Sequence, residues 1–298
     1  MNCVYCNDTK YSQSYLPSTT FNGKKFNYLK CKNCEVIYIN PLPDEDDYIK
    51  MYPPSYQSGI DRTLLKDPYK KLPGLRFSYG FQFDLIKKHF SETAAIFDYG
   101  CGNANFLINA KEKGFMCDGA EFNQTHVDLL KKEIPTSSFY TIDQFLLNTT
   151  KKYSVIRLSN VLEHLHNPHE IILILSSKLA ANGILLIEGP LECNFNLAFL
   201  TRKFYFKLKQ LLKKNNADHK PTHITFTNSK NQLLFFASCG LEKLSYTITE
   251  RAWPYPESFK SATGFGGKTK ALIAKLSISI SAFIPNWGNT FIYVGKKR

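Results

Sequence analysis

Two cysteine pairs, Cys3-x-x-Cys6 and Cys31-x-x-Cys34, stand near the start of the chain with 24 residues between them. Four thiolates spaced in this way suit a tetrahedral structural zinc ion. A redox role is the rival reading, but neither pair sits in a βαβ context and the pairs come as a duplicate. A second group is the turn Asp98-Tyr99-Gly100-Cys101-Gly102-Asn103-Ala104-Asn105, which follows a strand-like run and opens a helical one. Doubly wound sheets bind nucleotides at such a turn, because glycine lets a ligand approach the backbone. Glu121 ends the next strand-like run 19 positions after Gly102 and is placed to accept hydrogen bonds from both hydroxyls of a ribose. A dinucleotide fingerprint wants glycine where this chain has Asn105, so NAD is disfavoured. The third group is Glu163-His164 and the later His223, since a neutral imidazole near pH 7 takes a proton from a reacting hydroxyl or carbon acid. Both histidines also have quieter readings, Glu163 and His164 as anchors of a turn and His223 as a substrate contact.

These residues need a scaffold, and the alternation of runs from Ala95 onward supplies one. Strand-like Ala95–Tyr99, Met116–Glu121, Ser138–Ile142, Ser154–Leu158 and Ile184–Glu188 are separated by helical stretches near 105–113, 125–132 and 168–180. That pattern predicts a parallel sheet wrapped by helices. The helix at 168 is marked by Asn167 as N-cap, Pro168 at its first position and Asn182-Gly183 past its end. Leu244–Thr249 and Thr290–Val294 are two further strand candidates. Residues 1–43 read as a zinc-ribbon-like module with short strands at Phe26–Leu29 and Val36–Ile39. Residues 44–75 read as a linker opening on an acidic turn, Asp44 to Asp47, and 76–298 as the second domain.

The second domain resembles the class I S-adenosylmethionine-dependent methyltransferases. The matching pieces are Ile96-Phe-Asp98-Tyr-Gly100-Cys-Gly102, Gly119-Ala-Glu121, Asn160-Val-Leu-Glu163-His164-Leu-His-Asn-Pro168 and Leu179-Ala-Ala-Asn-Gly183-Ile-Leu-Leu-Ile-Glu188. Ala104 stands where the family usually has a third glycine. The resemblance implies an α/β, doubly wound, seven-stranded Rossmann-like sheet. It places Gly100 and Gly102 under the methionine part of S-adenosylmethionine, Asp98 near its amino group and Glu121 on the ribose, with Tyr99 also among the cofactor-binding residues. Phe122 and Asp143 would lie near the adenine, and Asn160 would face the sulfonium. Related quinone and small-RNA methyltransferases hold a divalent ion with a Glu-x-x-Glu-His segment and a later histidine, and Asn160 stands at the first of those positions here. The segment from Tyr28 to Pro43 also resembles the cysteine module preceding the methyltransferase core in bacterial sugar and surface-glycan enzymes, with Glu35 in place of the usual glycine and Thr222 where the C-methylating members commonly carry an acid. The implied acceptor is a small molecule or a sugar, methylated on oxygen or carbon.

Composition narrows the partners. The chain of 298 residues carries a formal charge of +13, which favours an anionic partner without choosing one. RNA is therefore an alternative acceptor, and a non-catalytic cofactor-binding protein is an alternative class. Between Asn196 and Asn216 a helical pattern sets Leu197, Leu200, Phe204, Leu208, Leu211 and Leu212 on one face, with Arg202, Lys203, Lys209, Lys213 and Lys214 mainly opposite. It reads as an amphipathic lid with a solvated basic face, or as a contact for an anionic membrane or a lipid-linked glycan. Met1-Asn2-Cys3 opens no signal-like segment and no apolar run reaches membrane-spanning length, so a cytoplasmic location is expected.

Overall fold

The computed structural model describes residues 2–53, 77–91, 93–148, 150–212, 216–217, 219–251, 260 and 262–298. Four short strands come first: β1 (Tyr11–Gln13), β2 (Ser18–Phe21), β3 (Lys24–Cys31) and β4 (Ile37–Asn40). Helices α1 (Glu45–Met51) and α2 (Tyr79–Lys87) follow, and then β5 (Ala95–Tyr99), α3 (Asn105–Glu112), β6 (Met116–Glu121), α4 (Gln124–Glu133), β7 (Phe139–Thr141) and α5 (Ile142–Asn148). Strand β8 (Tyr153–Ser159), α6 (Pro168–Ser177), β9 (Leu179–Pro190) and α7 (Leu197–Leu211) carry the chain to two short strands, β10 (Asn216–Ala217) and β11 (Thr225–Phe226). It ends with α8 (Ser229–Ser238), β12 (Leu241–Thr249), α9 (Gly264–Ser281) and β13 (Thr290–Lys297).

The expected doubly wound sheet is present. Its seven strands run β12-β13-β9-β8-β5-β6-β7, parallel from β9 to β7, with β13 antiparallel to both β9 and β12. Strands β5, β8 and β9 carry near-continuous buried runs, as strands covered on both faces must. The order reverses at β5, between β8 and β6, and open sheets bind ligands beyond the carboxyl ends of their strands at such a point. The helix expected at 168–180 begins at Pro168 but stops at Ser177. Asn182-Gly183 belongs instead to an irregular start of β9, where Tyr153 pairs with Leu179 but Val155 already pairs with Ile184.

A buried polar network clamps the middle of this sheet. Arg157 on β8 donates to both carboxylate oxygens of Asp98 on β5 at 2.9 and 3.0 Å, and its Nε donates to Gln82 at 2.6 Å. Gln82 in turn donates to Glu188 on β9 at 2.8 Å. The guanidinium also lies over the Phe106 ring at 4.1 Å. Burial pushes Asp98 up to about 6 in spite of Arg157.

The cysteine module does not complete its sheet alone. Strand β2 pairs with β10 and β4 with β11, so residues 216–226 supply both outer strands of the path β10-β2-β3-β4-β11. Tyr5 reaches α8 as well, its ring tilted against Phe235 with centroids 4.2 Å apart and its hydroxyl donating to Gln232 at 3.2 Å. The acidic turn at the start of the expected linker is a helix start. Asp44 caps α1 by accepting from Asp47 N–H, while the Asp47 carboxylate accepts from Asp44 N–H. Asp47 is buried and held by Lys24 and Asn22. The rest of that expected linker, from residue 54, lies outside the described residues.

Helix α7 corrects the expected orientation of the basic insertion. Phe199, Arg202 and Phe206 face inward, while Leu200, Phe204, Leu208 and Leu211 are exposed. The inward choice follows from partners: Arg202 finds the Glu192 carboxylate and its carbonyl, and Phe199 meets Tyr15 edge-on at 5.9 Å. Lys213 and Lys214 lie outside the described residues. Helix α9, which the sequence pattern did not announce, packs on α7 and buries Ala271, Ala274 and Ser277.

Candidate active site and metal centre

The turn after β5 is shaped for a ligand. Gly100 has φ +77°, and a Cβ there would sit 2.5 Å from a Val161 methyl carbon, so only glycine fits. Ala104 caps α3 in the left-handed region at φ +55° without a side-chain hydrogen bond, keeping the backbone path a glycine would take. Glu121 at the end of β6 bridges the turn, accepting from Gly102 N–H and Phe122 N–H at 2.8 Å each. His126 Nε2 lies 3.0 Å from the Gly102 carbonyl, which can only accept, so the ring donates. Among the described residues, the buried amide oxygens of Asn103, Asn105 and Asn160 have no hydrogen-bond partner. Three unsatisfied oxygens around one glycine-rich turn fit a polar ligand with several donors.

The other expected cofactor residues divide. Asn160 takes φ +53° at the end of β8 and donates its N–H to the Glu188 carbonyl at 2.9 Å. Phe122 and Asp143 are exposed, Asp143 on the first turn of α5. The Tyr99 ring, by contrast, is buried near Phe145, and its backbone lies in the ladder between β6 and β8. The Asp98 carboxylate is buried and accepts from Arg157 through both oxygens, so an expected ligand amino group would share it with that guanidinium.

Both histidines stand together beyond β8. His164 ends a short 3-10 turn, Leu162–His164, and its ring lies 4.8 Å from that of His223 at 77°. His164 Nδ1 lies 2.6 Å from the Thr222 carbonyl, which fixes the proton on Nδ1 and the lone pair on Nε2. Burial lowers the His164 pKa, opposed by the Glu163 carboxylate, whose Oε1 is 3.8 Å from His164 Nε2. His223 Nδ1 lies 3.0 Å from Glu192 Oε2, and Arg202 flanks the other Glu192 oxygen at 3.9 Å. The chain brings these segments together by backbone bonds: Ile224 N–H donates to the Glu163 carbonyl at 2.7 Å, and Ile39 N–H to the Ile224 carbonyl at 3.0 Å. Beside Glu192 lies a cavity of about 450 Å³, mostly apolar, with Phe199, Phe206, Arg202 and Lys270 on its walls.

Sequence reasoning missed Glu192, Arg202 as its partner, and the tyrosines of the α1 segment. Tyr48 donates to the His164 carbonyl at 2.9 Å, and the Tyr52 hydroxyl lies 3.1 Å from His164 Nδ1. The spacing Asp44-x-x-Asp47 before Tyr48 carried a helix-start signal that an acidic-turn reading overlooked.

Cys3, Cys6, Cys31 and Cys34 converge, with all four sulfurs within 4.8 Å of one another. Cys3 and Cys34, like Cys6 and Cys31, are 3.5 Å apart, near the separation of about 3.8 Å that four Zn–S bonds of about 2.3 Å impose. The residues after the second cysteine of each pair, Asn7 and Glu35, both take left-handed φ, +59° and +62°. A cysteine knuckle needs that turn, which explains a glycine preference at the position Glu35 occupies. A second group of metal-capable side chains is Glu163, His164 and His223.

A family model described as a methyltransferase domain matches residues 55–246. The chain belongs to this methyltransferase-domain family. Its fold is that of the class I S-adenosylmethionine-dependent methyltransferases, with a cysteine cluster added at the N-terminal side. Among curated proteins it is similar to the ubiquinone biosynthesis O-methyltransferase of Rickettsia typhi, 30% identical over 118 residues, which is 35% of this chain and 44% of that protein. The protein of the same name from Rickettsia bellii (strain OSU 85-389) is 28% identical over 116 residues, 35% of this chain and 45% of that one. The chain thus spans about half the length of these curated relatives. Among solved structures, the [4+2]-cyclase SpnF superposes with a TM-score of 0.50 at 14% identity, covering 86% of this chain and 97% of the other. At that identity the likeness concerns the fold alone. Among the described residues, no helix of this methyltransferase-family chain is long and apolar enough to cross a membrane.

Proposed function

We propose that this protein transfers a methyl group from S-adenosylmethionine to the oxygen or carbon of a small-molecule or sugar-linked acceptor, in glycan or secondary-metabolite biosynthesis, in the cytoplasm. The observation that carries the reading is the His223–Glu192 pair at 3.0 Å beside the cavity. The printed names of the curated relatives favour oxygen as the methylated atom. The glycan assignment rests on the resemblance of the cysteine module.

In this reading Gly100, Gly102 and Glu121 hold the cofactor, with Asn103, Asn105 and Asn160 giving their buried amide oxygens to its donors. When bound, S-adenosylmethionine supplies a methyl group on positively charged sulfur, which a nucleophile displaces in line. The protein's own work is alignment, exclusion of water and removal of one proton. Glu192 keeps the His223 proton on Nδ1, so Nε2 accepts the proton of the acceptor hydroxyl, and the carboxylate stabilises the resulting imidazolium. His164, held by Thr222 and kept neutral by burial, positions the acceptor or takes the proton in its place. The four cysteines hold a structural zinc ion that fixes the sheet on which the His223 segment is threaded.

One observation favours a second reading of the same site. Glu163, His164 and His223 each offer a ligand atom within 4.8 Å of the others, and Glu163 Oε2 has no hydrogen-bond partner among the described residues. A divalent cation there would orient an acceptor with neighbouring oxygens. Activity that survives a strong chelator, with cysteine-bound zinc retained, excludes this version.

The test is to incubate the protein with methyl-labelled S-adenosylmethionine and a fractionated extract, and to follow the label. Label in the small-molecule or glycolipid fraction supports the proposal. Label in RNA overturns the acceptor class, and tight cofactor binding without transfer overturns the activity.

A further inference from the structure

Helices α7 and α9 pack on one another, with Leu197 N–H donating to Ser277 Oγ at 3.3 Å, and both turn apolar side chains to solvent. On α7 none of the fifteen residues is buried, although the helix is amphipathic. Phe204 is 72% exposed and Leu211 80%, with Leu200 and Leu208 completing the stripe at one-turn spacing. On α9 and the turn after it Phe265 is 89% and Phe283 85% exposed, with Leu272 and Leu276 between them. Scattered exposed leucines need no explanation, but two adjoining helices that each show a stripe do.

The charges say what covers this face. Apart from Arg202, which turns inward to Glu192, the charged residues are Lys203, Lys207 and Lys209 on α7 and Lys268, Lys270 and Lys275 on α9, with no acidic residue on either helix. Lys209 folds over the exposed Tyr205 ring at 5.3 Å, keeping its stem on apolar surface and its charge at the margin. Large aromatic and leucine side chains on two helices whose charged residues are all basic, neither of them able to span a bilayer, match the interfacial zone of an anionic phospholipid surface.

We propose that α7 and α9 together form a docking face for anionic phospholipid bilayers, lying in the headgroup region. The cavity lined by Phe199 and Arg202 of α7 and Ile273 of α9 then opens beside the membrane. The docking itself does not depend on which acceptor is methylated.

Co-sedimentation of the full chain with vesicles of phosphatidylcholine alone, or mixed with phosphatidylglycerol, tests it. The mixed vesicles should bind the protein at low salt and release it progressively as salt rises. The variant Phe204→Ser/Leu211→Ser/Phe265→Ser changes only solvent-facing side chains, so its melting temperature and circular dichroism should match the parent. Its partitioning onto mixed vesicles should fall at least about tenfold. Equal binding of variant and parent, or no binding of the parent to mixed vesicles, overturns the proposal. So does a concentration-dependent dimer, seen by sedimentation velocity, that the same three substitutions abolish, because a second copy would then cover the face. Cofactor binding by the parent, measured separately, reports on the cofactor crevice alone and distinguishes a failure of docking from a failure of the methyltransferase reading.

Discussion

His223 Nδ1 lies 3.0 Å from Glu192 Oε2, joining a residue of the loop after β9 to one 31 positions later that precedes β11. The carboxylate sets the tautomer of the imidazole, and Arg202 holds the carboxylate. If His223 is the base of the proposed reaction, its tautomer is set by Glu192 and, through Glu192, by Arg202.

Glu192→Gln keeps an oxygen to accept from Nδ1–H but loses the charge that steadies the imidazolium. It should lower kcat by about 10–100-fold, whereas His223→Ala should lower it by about 100–10,000-fold, both with cofactor affinity unchanged. Steady-state kinetics combined with calorimetric titration of the cofactor check this. A Glu192→Gln enzyme with normal kcat would remove the dyad from the mechanism.

Arg157 is the charge partner of Asp98 in the centre of the sheet, where both are almost wholly buried. Arg157→Met leaves that carboxylate alone and should destabilise the protein by about 3–5 kcal/mol in urea unfolding. The double variant Asp98→Asn/Arg157→Met should lose less than the sum of the two single changes, since it strands no charge.

Burial pushes Glu250 from an ordinary 4.5 up to about 7, although Asn196 donates to it at 3.1 Å. Its folded pKa lies above its unfolded one, so the neutral carboxyl contributes stability that is complete below about pH 4.5 and lost as pH rises through about 7. Melting temperatures of parent and Glu250→Gln, compared between pH 5 and 8, should diverge in that direction, by an amount on the order of 1–3 kcal/mol. A constant difference across the range would contradict the assignment.

Metal removal should reach the active site through the shared sheet. Purified protein should carry one zinc ion per chain, and stripping it, or substituting Cys31→Ser, should lower stability. Because β11 pairs with β4 of the cysteine module and directly follows the His223 loop, kcat should fall as well. Elemental analysis and activity on the same samples check both. Metal-free protein with full activity and four freely reactive thiols would overturn the site.

Much of this protein is written locally. Periodic apolar runs, Pro168 at a helix start and glycines at a turn after a strand act over a few residues, so the sheet, the glycine-rich turn after β5 and the clustering of the four cysteines were readable from residue type and spacing. Element ends were less so, because Asn182-Gly183 signals a break whether it ends a helix or bulges a strand. The acidic capping box of α1 was legible in principle and was outweighed by the proline-rich stretch beside it. Tertiary structure decided the rest. A lone Arg157 in an apolar strand implies a buried partner, but only strand pairing selects Asp98. No spacing rule links Glu192 to His223, since the loops that carry them meet only when β11 joins the cysteine module's sheet. An amphipathic pattern fixes that one face of α7 differs from the other, and not which of them the protein covers. That choice fell to the partners across the interface, where Glu192 and Tyr15 draw Arg202 and Phe199 inward and leave the leucine stripe to solvent.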